Sequence, residues 1–239
     1  MADDASSTQP AQDQTQTQEQ APAPDLLYTN AGLLVGGMNS SANYGGGSSS
    51  SSSFYMLGVD GDYGFDKLFP GGQYLNVGGS IIGGTDSGYD VGFTGVTAGV
   101  GGHYEFEPST AGVDLGKISA FAMLVEQYNY LTVALPTYTY NGQTYGGGNS
   151  SSSSSSSAIE YGVKWMILNA YEWDFYGVNG SSSSSSGSQS PIGGNSLNLK
   201  FKWLMEPKPD SPYLGVYYSH QSQTGVNSDS LMVIGGYIW

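Results

Sequence analysis

The sequence predicts an all-β fold: a transmembrane, up-and-down antiparallel β-barrel of about ten strands, each of roughly ten residues, the length a tilted strand needs to cross a bilayer. Three observations carry the prediction. Apolar and polar residues alternate with a period of two through most of the chain, which puts one kind on each face of a strand. The connections between the alternating stretches fall in turn into a short and a long class. All four tryptophans lie toward one end of their strands, on the apolar face.

The barrel is expected over residues 26–239, preceded by a disordered tail over 1–25 that is rich in Gln, Thr, Asp and Pro and has almost nothing to bury. Alternation starts at Leu27–Val35. From Phe54 to Phe65, Tyr55, Leu57, Val59, Tyr63 and Phe65 share one face, while Met56, Asp60 and Asp62 share the other. From Gln73 to Ile82, Leu75, Val77 and Ile81 oppose Asn76 and Ser80. Val91–Phe106 is Gly-rich and changes phase near Gly95, which predicts a bulge. Ile118–Leu131 begins apolar on both faces, so its facing stays open.

The later strands are the clearest. Ile159, Tyr161, Val163, Trp165 and Ile167 face away from Glu160 and Lys164. Tyr171, Trp173 and Phe175 face away from Glu172 and Asp174, and Leu197, Leu199, Phe201 and Trp203 face away from Asn198, Lys200 and Lys202. Leu214, Val216 and Tyr218 alternate with Gly215, Tyr217 and Ser219. The last strand carries Leu231, Val233, Gly235, Tyr237 and Trp239 on one face. A soluble edge strand of that kind invites aggregation, whereas closure in lipid removes the edge and favours an apolar exterior.

Short connections are read at 66–72, 107–116, 168–170 and 206–212, and long ones at 36–53, 83–90, 132–157, 179–195 and 221–229. Short periplasmic turns alternating with longer outer loops mark a membrane barrel. Trp165, Trp173, Trp203 and Trp239 then form an aromatic girdle at the periplasmic boundary. Serine tracts at Ser48–Ser53, Ser150–Ser157 and Ser181–Ser186 read as flexible outer loops without recognition chemistry. They are either native low-complexity loops or engineered replacements of longer ones, and their similarity favours engineering.

Composition narrows the function. The 239 residues suffice for one barrel, and the absence of Cys removes disulfides and thiolate metal sites. No apolar run reaches the length of a membrane helix. A net charge of −14, with six Lys and no Arg, leaves no basic face for nucleic acid. The chain begins Met-Ala-Asp-Asp without signal-peptide regions, so an export signal is expected to have been removed. No cofactor is expected. His103 with Glu105 is too few ligands for a metal, and no Gly run continues into Gly-Lys-Ser/Thr.

The terminal residues Leu231–Trp239 resemble the C-terminal strand of Gram-negative outer-membrane β-barrels, which ends in Phe or Trp after alternating apolar residues. The resemblance implies the bacterial outer membrane, a surrounding of lipid and lipopolysaccharide, and recognition of this strand by the outer-membrane assembly machinery. His220-Gln221-Ser222 resembles the His-x-Ser motif of lipid A 3-O-deacylases of the PagL type. That resemblance implies Ser222 as nucleophile, His220 as base and Asp229 as its orienting acid. The chain departs from that family in Gln223, where the family has Asn, in an Asp in place of a more distant Glu, and in ten strands rather than eight.

Asp60, Asp62, Glu160, Lys164, Glu172, Asp174, Lys200 and Lys202 share the inward face. In a narrow barrel such groups are expected to pair and fill the interior. A narrow cation-preferring pore, with Asp60 and Asp62 as its testable residues, is the alternative. The function read from the sequence is a small pore or a structural membrane scaffold, possibly loop-trimmed by engineering. The alternatives are the outward-facing hydrolase and a loop-borne adhesin or receptor. The remaining lysines, Lys67, Lys117 and Lys208, all fall in short turns, which leaves no outer cation for lipid A phosphates.

Overall fold

A computed structural model describes residues 28–43, 49–69, 71–86, 89–106, 109–110, 113–114, 116–183, 195–208, 210–223 and 226–239. Ten antiparallel strands close a barrel in chain order: β1 (Thr29–Asn43), β2 (Ser49–Phe69), β3 (Gly71–Asp86), β4 (Tyr89–Phe106), β5 (Lys117–Ala134), β6 (Asn149–Ile167), β7 (Tyr171–Ser183), β8 (Asn195–Leu204), β9 (Ser211–Gln223) and β10 (Val226–Ile238). Each strand pairs with its sequence neighbours, and β10 closes the ring on β1, from Asn30↔Ile238 to Ala42↔Val226. The end where β1 begins and β10 stops is the base, and the opposite end is the rim. The expected tail over 1–25 lies outside the described residues.

The exterior is apolar. Leu33, Val35, Leu57, Val59, Val77, Ile81, Leu124, Leu231 and Val233 each expose half or more of their surface. A continuous belt of this kind is not sustained in water, whereas a closed barrel in lipid leaves no backbone group unpaired. Its base is edged with aromatic rings. Trp165 pairs directly with Trp173, Trp203 pairs with Tyr171, and the Trp239 amide donates to Thr29 O at 3.2 Å. The Trp173 ring lies 4.5 Å from Phe201. Lipid is therefore the solvent for this face, and the chain is a transmembrane β-barrel.

Three expectations change. Within the described residues the serine tracts are strand, not loop: Ser49–Ser53 opens β2, Ser150–Ser157 lies within β6, and Ser181–Ser183 ends β7, while Ser48 and Ser184–Ser186 lie outside the described residues. The ladder is made by main-chain groups, and β5 offers a partner along the whole tract, from Ser150↔Val133 to Ser157↔Glu126. Side chains add to it, with Ser53 Oγ donating to Asn39 Oδ1 at 2.7 Å and Ser157 Oγ to Glu126 Oε1 at 2.6 Å. Above the bilayer both faces of a strand meet water, so a strand there needs no apolar side.

Connection length likewise does not sort by side. Rim connections at 44–48, 87–88 and 224–225 are short, while 107–116 at the base is longer and carries its own two-residue pairing, Ser109–Thr110 with Val113–Asp114. The rim connection 135–148 folds into a hairpin, Thr137–Tyr140 against Gln143–Gly146, turned by Asn141 and Gly142 at φ 50° and 76°.

The third change concerns β4, which has no phase change at Gly95. Its register with β3 and β5 runs unbroken. Phe93 instead points inward and packs with Met38 and Ile82 in a small apolar cluster near the rim. In β5 the open question is settled with Phe121, Met123 and Val125 inward and Leu124, Tyr128 and Tyr130 outward.

Candidate functional site

The lumen is layered. At the base, Tyr28, Tyr74, Phe121, Met166, Leu204, Tyr213 and Ile238 are buried together. His103 from β4 stacks on Tyr28 at 3.8 Å between ring centroids, and Tyr28 Oη lies 2.8 Å from Ser119 Oγ. Gly72 lets the imidazole lie against the wall, since a Cβ there would sit 2.1 Å from His103 Nε2. His103 Nδ1 is 3.5 Å from Glu105, which pairs with Lys117 at 3.2 Å. Lys117 opens β5 rather than occupying a turn.

Above this plug lies a charged layer. Lys164 on β6 reaches Asp62 on β2 at 2.8 Å, and Lys200 on β8 reaches Asp60 on β2 at 2.5 Å. Each partner stands four strands away around the ring, so both bridges cross the lumen. Lys202 binds Glu172 at 2.8 Å, has Asp174 at 3.9 Å, and reaches Asn30 Oδ1 at 3.4 Å. The Asn76 amide donates to both aspartates on β2, to Asp60 Oδ1 at 3.1 Å and Asp62 Oδ1 at 2.9 Å. Glu172 and Lys202 are fully buried. Charges this far from water survive only when paired and hydrogen-bonded.

All eight inward ionisable residues read from the sequence thus meet in one layer, and Glu160 alone is in none of its ion pairs. Sequence reasoning placed Asn76 on the inner face without a role. It missed Asn30 and the tyrosines of the plug, because their polar or aromatic character is equally common on an outer surface. Above the layer is a cavity of ≈ 240 Å³ bounded by Met56, Glu160, Tyr176, Tyr217 and Ser219 among others.

The second candidate site faces outward at the rim. His220 on β9 is paired with Asp229 on β10, and its Nδ1 lies 2.8 Å from Asp229 Oδ1. Tyr218 Oη donates to the same oxygen at 2.7 Å. Ser222 is exposed two residues beyond His220, but its hydroxyl donates to Asn227 Oδ1 at 3.0 Å. The structure therefore joins His220 to Asp229 and leaves Ser222 engaged elsewhere. Among the described residues no group of three or more His, Cys, Asp or Glu is placed to hold a metal.

No protein-family model and no curated protein matches the chain. Among solved structures it is similar to the translocator domain of the autotransporter NalP from Neisseria meningitidis, at 9% identity, 88% coverage of each chain and a TM-score of 0.45. It is also similar to the β domain of the Bordetella autotransporter BrkA, at 12% identity over 88% of this chain and 100% of that one, TM-score 0.40. A third is Ail, the attachment invasion locus protein of Yersinia pestis, at 13% identity over 89% and 100%, TM-score 0.34.

Proposed function

We propose that this chain is an outer-membrane β-barrel that serves as a closed scaffold and not as a through-pore. The observation that carries the reading is the pair of cross-lumen bridges, Lys164–Asp62 and Lys200–Asp60, resting on a buried aromatic and aliphatic base. An ion crossing the barrel would have to part these pairs and then pass an apolar plug, at a cost of several kcal/mol for each uncompensated charge. The apolar belt, the girdle and the aromatic last strand support a Gram-negative outer membrane, with lipopolysaccharide around the rim and assembly through β10. Planar-bilayer recording is the direct test. The reading expects no steady conductance from the wild type at moderate voltage. A stable ohmic channel that loses cation preference in Asp60→Asn/Asp62→Asn would replace it with the pore.

A second reading, the outward-facing lipid A hydrolase, is favoured by one observation: the 2.8 Å contact between His220 Nδ1 and Asp229. With Nδ1 protonated, that bond leaves Nε2 as a base on the face toward lipid. Ser222 would have to turn from Asn227 to His220 to become its nucleophile. Mass spectrometry of lipid A decides it. Loss of one acyl chain with the wild type and not with Ser222→Ala establishes the hydrolase, and unchanged lipid A with both removes it.

A further inference from the structure

We infer that the cavity above the charged layer is a binding site for a small organic monocation, with Glu160 as its counter-ion. Among the described residues the charged layer and the cavity above it carry five carboxylates, Asp60, Asp62, Glu160, Glu172 and Asp174, against three lysines, and each lysine already has a carboxylate at 2.8 Å or less. The acids outnumber the lysines by two: Glu160 is in none of these pairs, and Asp174 shares Lys202 with Glu172. Among the described residues no ammonium lies within ion-pair distance of Glu160. Asp174 is 2 % exposed, and while its Oδ2 has Lys202 at 3.9 Å, its Oδ1 makes no hydrogen bond. Both line the cavity, as does Ser219, 2 % exposed and with an unbonded Oγ.

An unpaired carboxyl group away from bulk water is neutralised either by a proton or by a cation beside it, and a bound ammonium is what would hold it ionised. The walls say which kind. A compact metal ion needs several ligands converging at short distance, and the described residues offer no such group. The cavity is instead part polar and part apolar, lined by Met56, Met232 and Tyr176 as well as by the acids. A primary ammonium on a short alkyl chain matches both: its head is taken by carboxylate and hydroxyl oxygens, and its chain by thioether and ring. The ammoniums of Lys164 and Lys200 do not oppose it, since each is held by an aspartate of the far wall. At ≈ 240 Å³ the space falls short of a pocket for a drug-sized ligand and suits one of about ten heavy atoms or fewer.

The test uses the whole chain in detergent micelles with labelled methionine methyl groups. Met56 and Met232 report on the cavity, and Met166 in the plug reports on the fold. Titration with n-butylammonium is expected to shift the first two saturably and to leave Met166 in place. Neither n-butyrate nor n-butanol, which enters micelles as readily, should reproduce the shift. Glu160→Gln should weaken binding about tenfold or more. Met56→Trp, which fills the cavity and spares every acid, should abolish it and serves if Glu160→Gln does not fold. Equal response to butyrate, butylammonium affinity unchanged in Glu160→Gln, or no saturable shift in the wild type would each overturn the proposal. None of these readouts depends on whether the barrel conducts, so the closed-scaffold reading stands or falls separately.

Discussion

At the base of the lumen rings and aliphatic chains are buried together, with Lys202 and Glu172 fully buried in the layer above them, whereas toward the rim the same barrel encloses ≈ 240 Å³ of space. The strands on either side are continuous, so the difference belongs to side chains alone. Tyr28 and Tyr213 converge on the base, Tyr74 stands between it and the cavity, and Gly58, Gly78, Ser80 and Ser156 line the upper wall. A ten-stranded wall thus encloses room that must be filled to be closed. Converging large residues close one level, and glycines and serines leave room at another.

The largest effect is expected where charge is deepest. Lys202→Met leaves Glu172 and Asp174 facing each other without their cation, and should cost about 3–5 kcal/mol. Urea unfolding of the barrel in lipid vesicles, followed by tryptophan fluorescence, reads it. Replacing the acids as well, in Lys202→Met/Glu172→Gln/Asp174→Asn, should recover most of the loss, because the penalty comes from stranded charge and not from the missing bond. A single variant as stable as the wild type would mean that water reaches the layer from the base. The contrast between the two halves would then fail.

Matched methionines sharpen the contrast. Met166 is 2 % exposed in the plug, and Met56 borders the cavity. Met166→Ala should destabilise by about 2–4 kcal/mol through lost burial and the void it leaves. Met56→Ala enlarges a space that already exists and should cost about 1 kcal/mol or less. Equal costs in the same urea assay would show that the upper half is packed as tightly as the lower.

Which of this could be read from residue order follows the physics of each part. Leu197–Trp203 showed its facing because lipid and lumen impose opposite demands on neighbouring residues. Phe93 misled, because an apolar side chain inside a barrel breaks the alternation without breaking the strand. The serine tracts misled for the reverse reason, since main-chain pairing leaves no mark in the side chains. The Asn141-Gly142 turn went unread, because it lies inside the stretch 132–157, which reads as one long connection. Lys200 and Asp60 could be assigned to the lumen but not to each other, because 140 residues and the ring's closure set that meeting. The His220–Asp229 contact similarly depends on the register of β9 on β10.

The smallest effect tests the wall itself at its tightest turn. Between β6 and β7 the chain reverses through Leu168 and Asn169 at φ 54° and 51°, with Ala170 N donating to Ile167 O at 3.1 Å. This is a two-residue turn with both central residues left-handed, a geometry that suits the twist of the strands and favours Asn or Gly. Asn169 fits it. Leu168 does not, since its Cβ crowds the following carbonyl, and at 70 % exposure the side chain recovers little by burial. Leu168→Asn should therefore raise stability by about 0.5–1 kcal/mol. A loss would show that Leu168 is held by the lipid boundary beside Trp165 and Trp173. The aromatic girdle would then extend into the turns, and the strain would be the consequence of an anchor.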